Sequence, residues 1–267
     1  MPRLLGRLLV VAAMVLGLAP PAAAAEDAGW RAYQRGDFAA ALADWRPRAE
    51  AGEAVAQFDL GLLYDEGKGV GRDPARAVRW WRRAAEQGFA PAEHSLARAY
   101  IAGDGIARDF VAARGWLERA AERGFAPSQY TLGKLYLGGL GVAPDPDRAF
   151  RLIAAAAAAG HPRAAYNLGK MYRDGIGTKR DLAAAVRWFR RAAETGYGKA
   201  QAALAERYAR GEGIAADPAL AYLWMARAAR NGVARAGKRL PALAAKLSPA
   251  ARAEVERRLD APRPATE

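Results

Sequence analysis

The chain has 267 residues, with 41 Lys+Arg against 28 Asp+Glu, a formal charge of +13 and no cysteine. Missing thiols exclude disulfides, thiolate metal sites, iron–sulfur clusters and cysteine nucleophiles together. Hydrophobic residues make up 52% of the chain, enough for a sizeable core, so wholesale disorder is excluded too.

Residues 1–25 read as an export signal. Arg3 and Arg7 precede an apolar run from Leu8 to Leu18, and Ala23-Ala24-Ala25 offers a small-residue cleavage site before Glu26. As a helix that run reaches only about 16 Å, against roughly 30 Å for a bilayer core. The expectation is a periplasmic protein cleaved near Ala25. Its mature charge is +11, because the leader removes two arginines and no acids. Absence of cysteine agrees with an oxidising compartment.

The rest of the chain repeats with a period of 36. Tyr64, Tyr100, Tyr136, Tyr172 and Tyr208 keep that spacing. So do Gly67, Gly103, Gly139, Gly175 and Gly211, with a second glycine two residues after each. Asp73, Asp109, Asp145, Asp181 and Asp217 follow the rule, as do Trp80, Trp116, Trp188 and Trp224, with Leu152 in the third unit. Each unit predicts two helices. In the first unit Ala56, Leu60 and Tyr64 make one apolar stripe, and Gly61 after the leucine lets a partner helix approach. Glycines then end that helix and Asp73 caps the next, with Pro74 at its first position. Ala77, Trp80, Trp81, Ala84 and Ala85 form the second stripe, which predicts a large aromatic knob set among alanines.

The ends depart from the pattern, as the ends of a repeat stack do. Residues 26–52, with Trp30, Tyr33 and Gly36-Asp37-Phe38, predict a degenerate unit with a shorter loop. Residues 53–232 hold the five full units. Residues 233–260 predict capping helices, with Ala244 where a tyrosine would stand and with Ala251, Val255 and Leu259 on one face. Residues 261–267 predict a loose tail.

The motif A-x3-L-G-x2-Y-x2-G-x-G-V-x3-D-x3-A-x2-W-x3-A-A-x2-G, running from Ala56 to Gly88, resembles the SEL-1-like repeat, a relative of the tetratricopeptide repeat with a longer inter-helix loop. The resemblance implies an all-α, right-handed α-solenoid of helix pairs that serves as a non-catalytic adaptor for protein complexes. It also implies first helices lining a concave face. Bacterial members implied by it act in envelope signalling, exopolysaccharide control or host contact.

On that face the positions free of core duty predict a partner groove. Two before the leucine stand Phe58, His94, Tyr130 and Tyr166. Two after it stand Arg98, Lys134 and Lys170, with Arg173 three further on and Asn167 just before Leu168. Rings offer rigid apolar area and the cations suit carboxylates, so the expected partner is an acidic protein or peptide segment. The alternative is an anionic glycan or lipid surface, met by a second ladder of Arg83, Arg119, Arg191 and Arg227 flanked by Arg79, Arg151 and Arg187. Nucleic acid is not expected for an exported chain.

Nothing in the sequence points to an enzyme, a cofactor or a metal. The Gly-x-Gly loops lack a Gly-Lys-Ser/Thr ending, and neither His94 nor His161 has a second histidine at ligand spacing.

Overall fold

The computed structural model describes residues 28–260; the signal-peptide reading and the loose-tail reading lie outside them. The described residues form fourteen α-helices and no strand. They fall into two compact units, divided between Pro144 and Asp145. That boundary cuts the third repeat between its two helices.

The N-terminal unit holds α1 (Ala28–Gln34), α2 (Phe38–Glu50), α3 (Ala54–Glu66), α4 (Pro74–Glu86), α5 (Ala90–Ala102), α6 (Phe110–Glu122) and α7 (Ala126–Gly138). The C-terminal unit holds α8 (Pro146–Ala158), α9 (Pro162–Asp174), α10 (Leu182–Glu194), α11 (Gly198–Arg210), α12 (Pro218–Arg230), α13 (Ala234–Ala244) and α14 (Pro249–Asp260). Within the repeats α3, α5, α7, α9 and α11 are first helices; α4, α6, α8, α10 and α12 are second helices.

Local chemistry sets the helix ends. Each second helix starts on an aspartate whose carboxylate accepts backbone N–H groups, as Asp73 does from Arg76 at 2.9 Å and Asp181 from Ala184 at 2.8 Å. Each first helix of the five repeats stops at a left-handed glycine, Gly67 at φ 68° for example. The glycine two residues on has a second task, because it touches the preceding unit. A Cβ on Gly105 would stand 2.3 Å from the Pro74 carbonyl carbon, and one on Gly177 would stand 2.1 Å from the Pro146 oxygen. Positive φ and close approach both require glycine there.

The core is built of alanine pairs around one large side chain per repeat. Gly61 faces Trp81, whose Nε1 would lie 2.5 Å from an added Cβ and donates to the Phe58 carbonyl at 3.2 Å. Gly169 faces Phe189 in the same way, at 2.7 Å. Where the small residue is Ala97 or Ala205, the second helix that follows carries the narrower Leu117 or Met225. Hence the knob is the residue after the periodic tryptophan: Trp81, Leu117, Ile153, Phe189 and Met225 are buried. Trp80, Trp116, Trp188 and Trp224, expected inside the apolar stripe, are only partly buried, because their position faces the edge of the helix pair.

The terminal pairs reuse this device and then abandon it. Gly29 of α1 faces the fully buried Trp45 of α2. At the other end Pro241 and Ala244 replace the small residue and the tyrosine. An open cleft of ≈ 520 Å³ lies there, lined by Tyr222, Leu240, Ala244 and Arg252 among others. Helix α14 packs on α12 and buries Val255, and Arg230 donates to the Leu259 carbonyl at 2.7 Å. No helix of the described residues is long and apolar enough to cross a membrane.

Candidate interaction face

A first helix has one stripe committed to the core, through Leu60, Leu96, Leu132, Leu168 or Leu204. The residues flanking that stripe decide what the helix can offer. The ring positions two before the leucine are spent on packing. Phe58 meets Phe89 edge-on at 5.5 Å, His94 meets Phe125 at 5.7 Å and Tyr166 meets Tyr197 at 5.5 Å. In each case the ring rests on the residue that precedes the next first helix. His94 is 5% exposed and its Nδ1 lies 3.0 Å from Ser128 Oγ. The expectation that Phe58, His94 and Tyr166 are free of core duty is corrected accordingly: His94 is buried, and all three join one repeat to the next, with Phe58 and Tyr166 partly buried. The signal was present as Phe89, Phe125 and Tyr197, spaced by 36 and then 72 residues, a second aromatic column whose partner the first supplies. Tyr130 is partly buried.

The cationic positions behave differently. Arg98 and Lys134 are exposed and Lys170 is partly exposed. Asn167 returns its amide N–H to the Arg163 carbonyl at 2.7 Å. Arg173 holds both oxygens of its neighbour Asp174, at 2.6 and 2.7 Å, which keeps that carboxyl below the usual carboxylate range. Burial pushes the Asp65 carboxyl above the ordinary range, and Arg72 partly offsets the shift.

Polar links between repeats were not anticipated. Gln57, Gln129 and Gln201 donate from first helices to the Ala49, Ala121 and Ala193 carbonyls, at 3.1, 3.3 and 3.1 Å, and so cap the preceding second helices. In α5 the same position is Glu93, buried and ion-paired to Arg119 at 3.0 Å and Arg123 at 3.1 Å. A glutamine spaced by 72 residues was the available clue.

The outer arginine ladder is engaged by its own helices. Arg83, Arg119, Arg191 and Arg227 lie over Trp80, Trp116, Trp188 and Trp224, with guanidinium-to-ring distances of 4.7, 4.6, 5.4 and 4.9 Å. Arg119 and Arg191 also donate to the Ala85 and Ala158 carbonyls of the preceding second helix. Arg79, Arg151 and Arg187 remain exposed.

One histidine sits in a charge-sensitive place. His161 caps α9, its Nδ1 accepting the Ala164 N–H at 3.1 Å. Burial, with Arg163 close by, pushes its pKa down to about 4. Among the described residues no group of three or more His, Cys, Asp or Glu is placed to hold a metal ion.

Comparison with known proteins now fixes the class. A family profile for the Sel1 repeat matches residues 54–89, 90–125, 126–161, 162–197 and 198–233. The chain belongs to the Sel1-repeat family, and its fold is an all-α repeat solenoid. It is similar to a Sel1 repeat protein from Oxalobacter formigenes, at 30% identity and a TM-score of 0.75, covering 89% of this chain and 97% of that one. It is similar also to a protective antigen present in uropathogenic Escherichia coli strains with an SLR fold, at 30% identity and a TM-score of 0.57. That match covers 86% of this chain and 59% of the antigen. An immunity protein from Pseudomonas aeruginosa, at 18% identity and a TM-score of 0.53 over 78% of this chain and 83% of that one, shares the fold alone. Among curated proteins none matches. Sel1 repeats are generally non-catalytic scaffolds for protein–protein interaction.

Proposed function

We propose that this protein is an exported, periplasmic adaptor that binds an acidic segment of a partner protein on its first helices, does no chemistry of its own and serves envelope signalling or exopolysaccharide control. The observation that carries the reading is a contrast between two sets of cations. The outer arginines are stacked on tryptophans or turned back onto helix carbonyls. The first-helix cations Arg98, Lys134 and Lys170 stay at the surface with no ion pair among the described residues. Cations kept available in that way suit recognition better than solvation alone. Contact of the outer ladder with anionic glycan or lipid is the weaker reading, since its guanidiniums already have ring partners.

Export is supported by the composition of residues 1–25 and by a structural relative described as a protective antigen. The test is photo-crosslinking in cells. A photoreactive residue at position 134 or 170 should capture a discrete partner from the periplasmic fraction, and one at position 187 on α10 should not. N-terminal sequencing of the exported chain itself should begin near Glu26. Equal capture from all three positions, or a chain retained whole in the cytoplasm, would refute the proposal.

A further inference from the structure

The positive charge is not spread evenly along the first helices. After α1 at +1, the helices α3, α5, α7, α9, α11 and α13 carry formal charges of −3, 0, +1, +2, +2 and +3. The second helices α4, α6, α8, α10 and α12 carry +3, 0, +1, +2 and +2, the same values as the first helices from the second repeat onward. Helix totals therefore do not separate the two layers; the positions of the charges do.

One repeat position on the first helices separates the two units. Five before the leucine the N-terminal unit has Val55, Pro91 and Pro127, and the C-terminal unit has Arg163, Lys199 and Arg235. All three cations are exposed. They stand in the first turns of α9, α11 and α13, against the positive end of each helix dipole, so helix stability does not explain them. Lys238 adds an exposed charge on α13. The carboxylates of this face are few and already shared: Glu206 serves both Arg235 at 3.3 Å and Arg239 at 2.7 Å, and Asp174 serves Arg173.

In the N-terminal unit the first-helix acids are held internally. Glu66 pairs with Lys68 at 2.8 Å, Asp65 lies 4.0 Å from Arg72, and Glu93 is buried between two arginines. On α3, α5 and α7 the exposed cations are Arg98 and Lys134.

We infer that the acidic segment is held by the C-terminal unit, on the first-helix face of α9, α11 and α13, with Arg163, Lys170, Lys199 and Lys238 as the recognising cations. This rests on the adaptor reading above and names which unit does the recognising. A protein segment is favoured over a membrane or polyanionic glycan because Arg191 and Arg227 of the outer layer already lie over Trp188 and Trp224, so a flat anionic surface finds fewer open cations there.

The experiment uses the full mature chain and a fluorescent peptide of twenty alternating Glu and Ser residues, with affinity read by anisotropy. Three triple variants each change the charge by the same amount. R163E/K199E/K238E alters the first-helix face, and R151E/R187E/K179E alters the outer layer and a loop of the same unit. R98E/K134E/R79E alters the N-terminal unit. The first should weaken binding at least tenfold and the other two less than threefold, with helical circular dichroism unchanged. Charge-neutral R163Q/K199Q/K238Q, which disturbs folding less, should show an intermediate loss. Equal losses from all three triples would mean general attraction and overturn the inference. A loss confined to the N-terminal triple would overturn it too, while leaving the adaptor reading standing. Absence of peptide binding by the unaltered protein, or tighter binding to phosphatidylglycerol vesicles than to peptide, would also overturn it. Crosslinks from positions 134 and 170 in cells would then decide separately whether the adaptor reading survives.

Discussion

The two units share an interior and differ at the surface. Both set one large residue against glycine or alanine, cap second helices with aspartate and stack an arginine on each periodic tryptophan. Yet residues 28–144 carry 16 Lys+Arg against 14 Asp+Glu, and residues 145–260 carry 22 against 11. Packing forces the interior positions, because a close-packed core feels even one methylene. Solvent positions are under no such constraint, so a charge difference that recurs at one repeat position points to what the surface meets, not to what the fold needs.

The sharpest way to break the claim of a shared interior is to remove a knob. Phe189→Ala should cost about 3–5 kcal/mol, the usual range for a buried aromatic that leaves a cavity. Its neighbour Trp188 is larger but partly exposed and packed under Arg191. Trp188→Ala should cost distinctly less. Leu117→Ala in the N-terminal unit should fall at about 2–5 kcal/mol. Urea titrations of the three variants would check the order, and a Trp188 effect equal to that of Phe189 would undo the assignment of the knob.

The adjacency of Trp188 and Phe189 also shows what the sequence could and could not tell. The period, the helix pair, the caps and the turn glycines were legible, because each is local: an aspartate three residues ahead of its N–H partner needs no distant contact. The choice between two neighbouring aromatics was not, since one helical step of 100° separates core from edge and only the facing Gly169 decides. The same limit explains the site. Arg98, Lys134 and Lys170 were legible as surface cations from their place beside the leucine. The packing duty of Phe58, His94 and Tyr166 was not legible, because their ring partners come from the next repeat, some 31 residues on, a pairing that periodicity within one helix cannot show.

Acid should separate the units next. His161 is a neutral cap in the C-terminal unit, with an unfolded pKa near 6.5 and a folded one of about 4. The unfolded chain therefore binds the proton first as pH falls. The stability from the neutral cap is complete above pH 6.5 and is lost progressively down to about pH 4, on the order of 3 kcal/mol in all. Protonation would turn the Nδ1 acceptor into a donor facing the Ala164 N–H, beside Arg163 and the positive helix end. In the N-terminal unit α3, α5 and α7 start on Glu53, Phe89 and Phe125 instead of a histidine. His161→Asn keeps an acceptor without a titrating proton. The difference in unfolding free energy between this variant and the unaltered protein should shift steadily in the variant's favour from pH 6.5 to pH 4. A flat difference would remove His161 as the cause.

The smallest effect tests the charge asymmetry itself, apart from any partner. Asp109 caps α6 through the Val111 and Ala112 N–H groups, at 2.8 and 2.9 Å, and Asp181 caps α10 through the Ala184 N–H at 2.8 Å. Replacement by alanine removes the acceptor and should cost about 1 kcal/mol at either site. Replacement by asparagine keeps the acceptor and removes only the negative charge. In the nearly balanced N-terminal unit that change meets little net field, so Asp109→Asn should cost no more than the helix-dipole contribution, about 0.3–1 kcal/mol. In the C-terminal unit the lost charge had been offsetting a twofold excess of cations. Asp181→Asn should therefore cost a few tenths of a kcal/mol more than Asp109→Asn at low ionic strength, and the gap should close in about 1 M salt, where the screening length falls to about 3 Å. Thermal melts of the two asparagine variants across a salt series would read this directly. Equal costs at every salt concentration would mean that the excess charge is already dispersed by solvent, and the face of α9, α11 and α13 would then lose its claim to a field of its own.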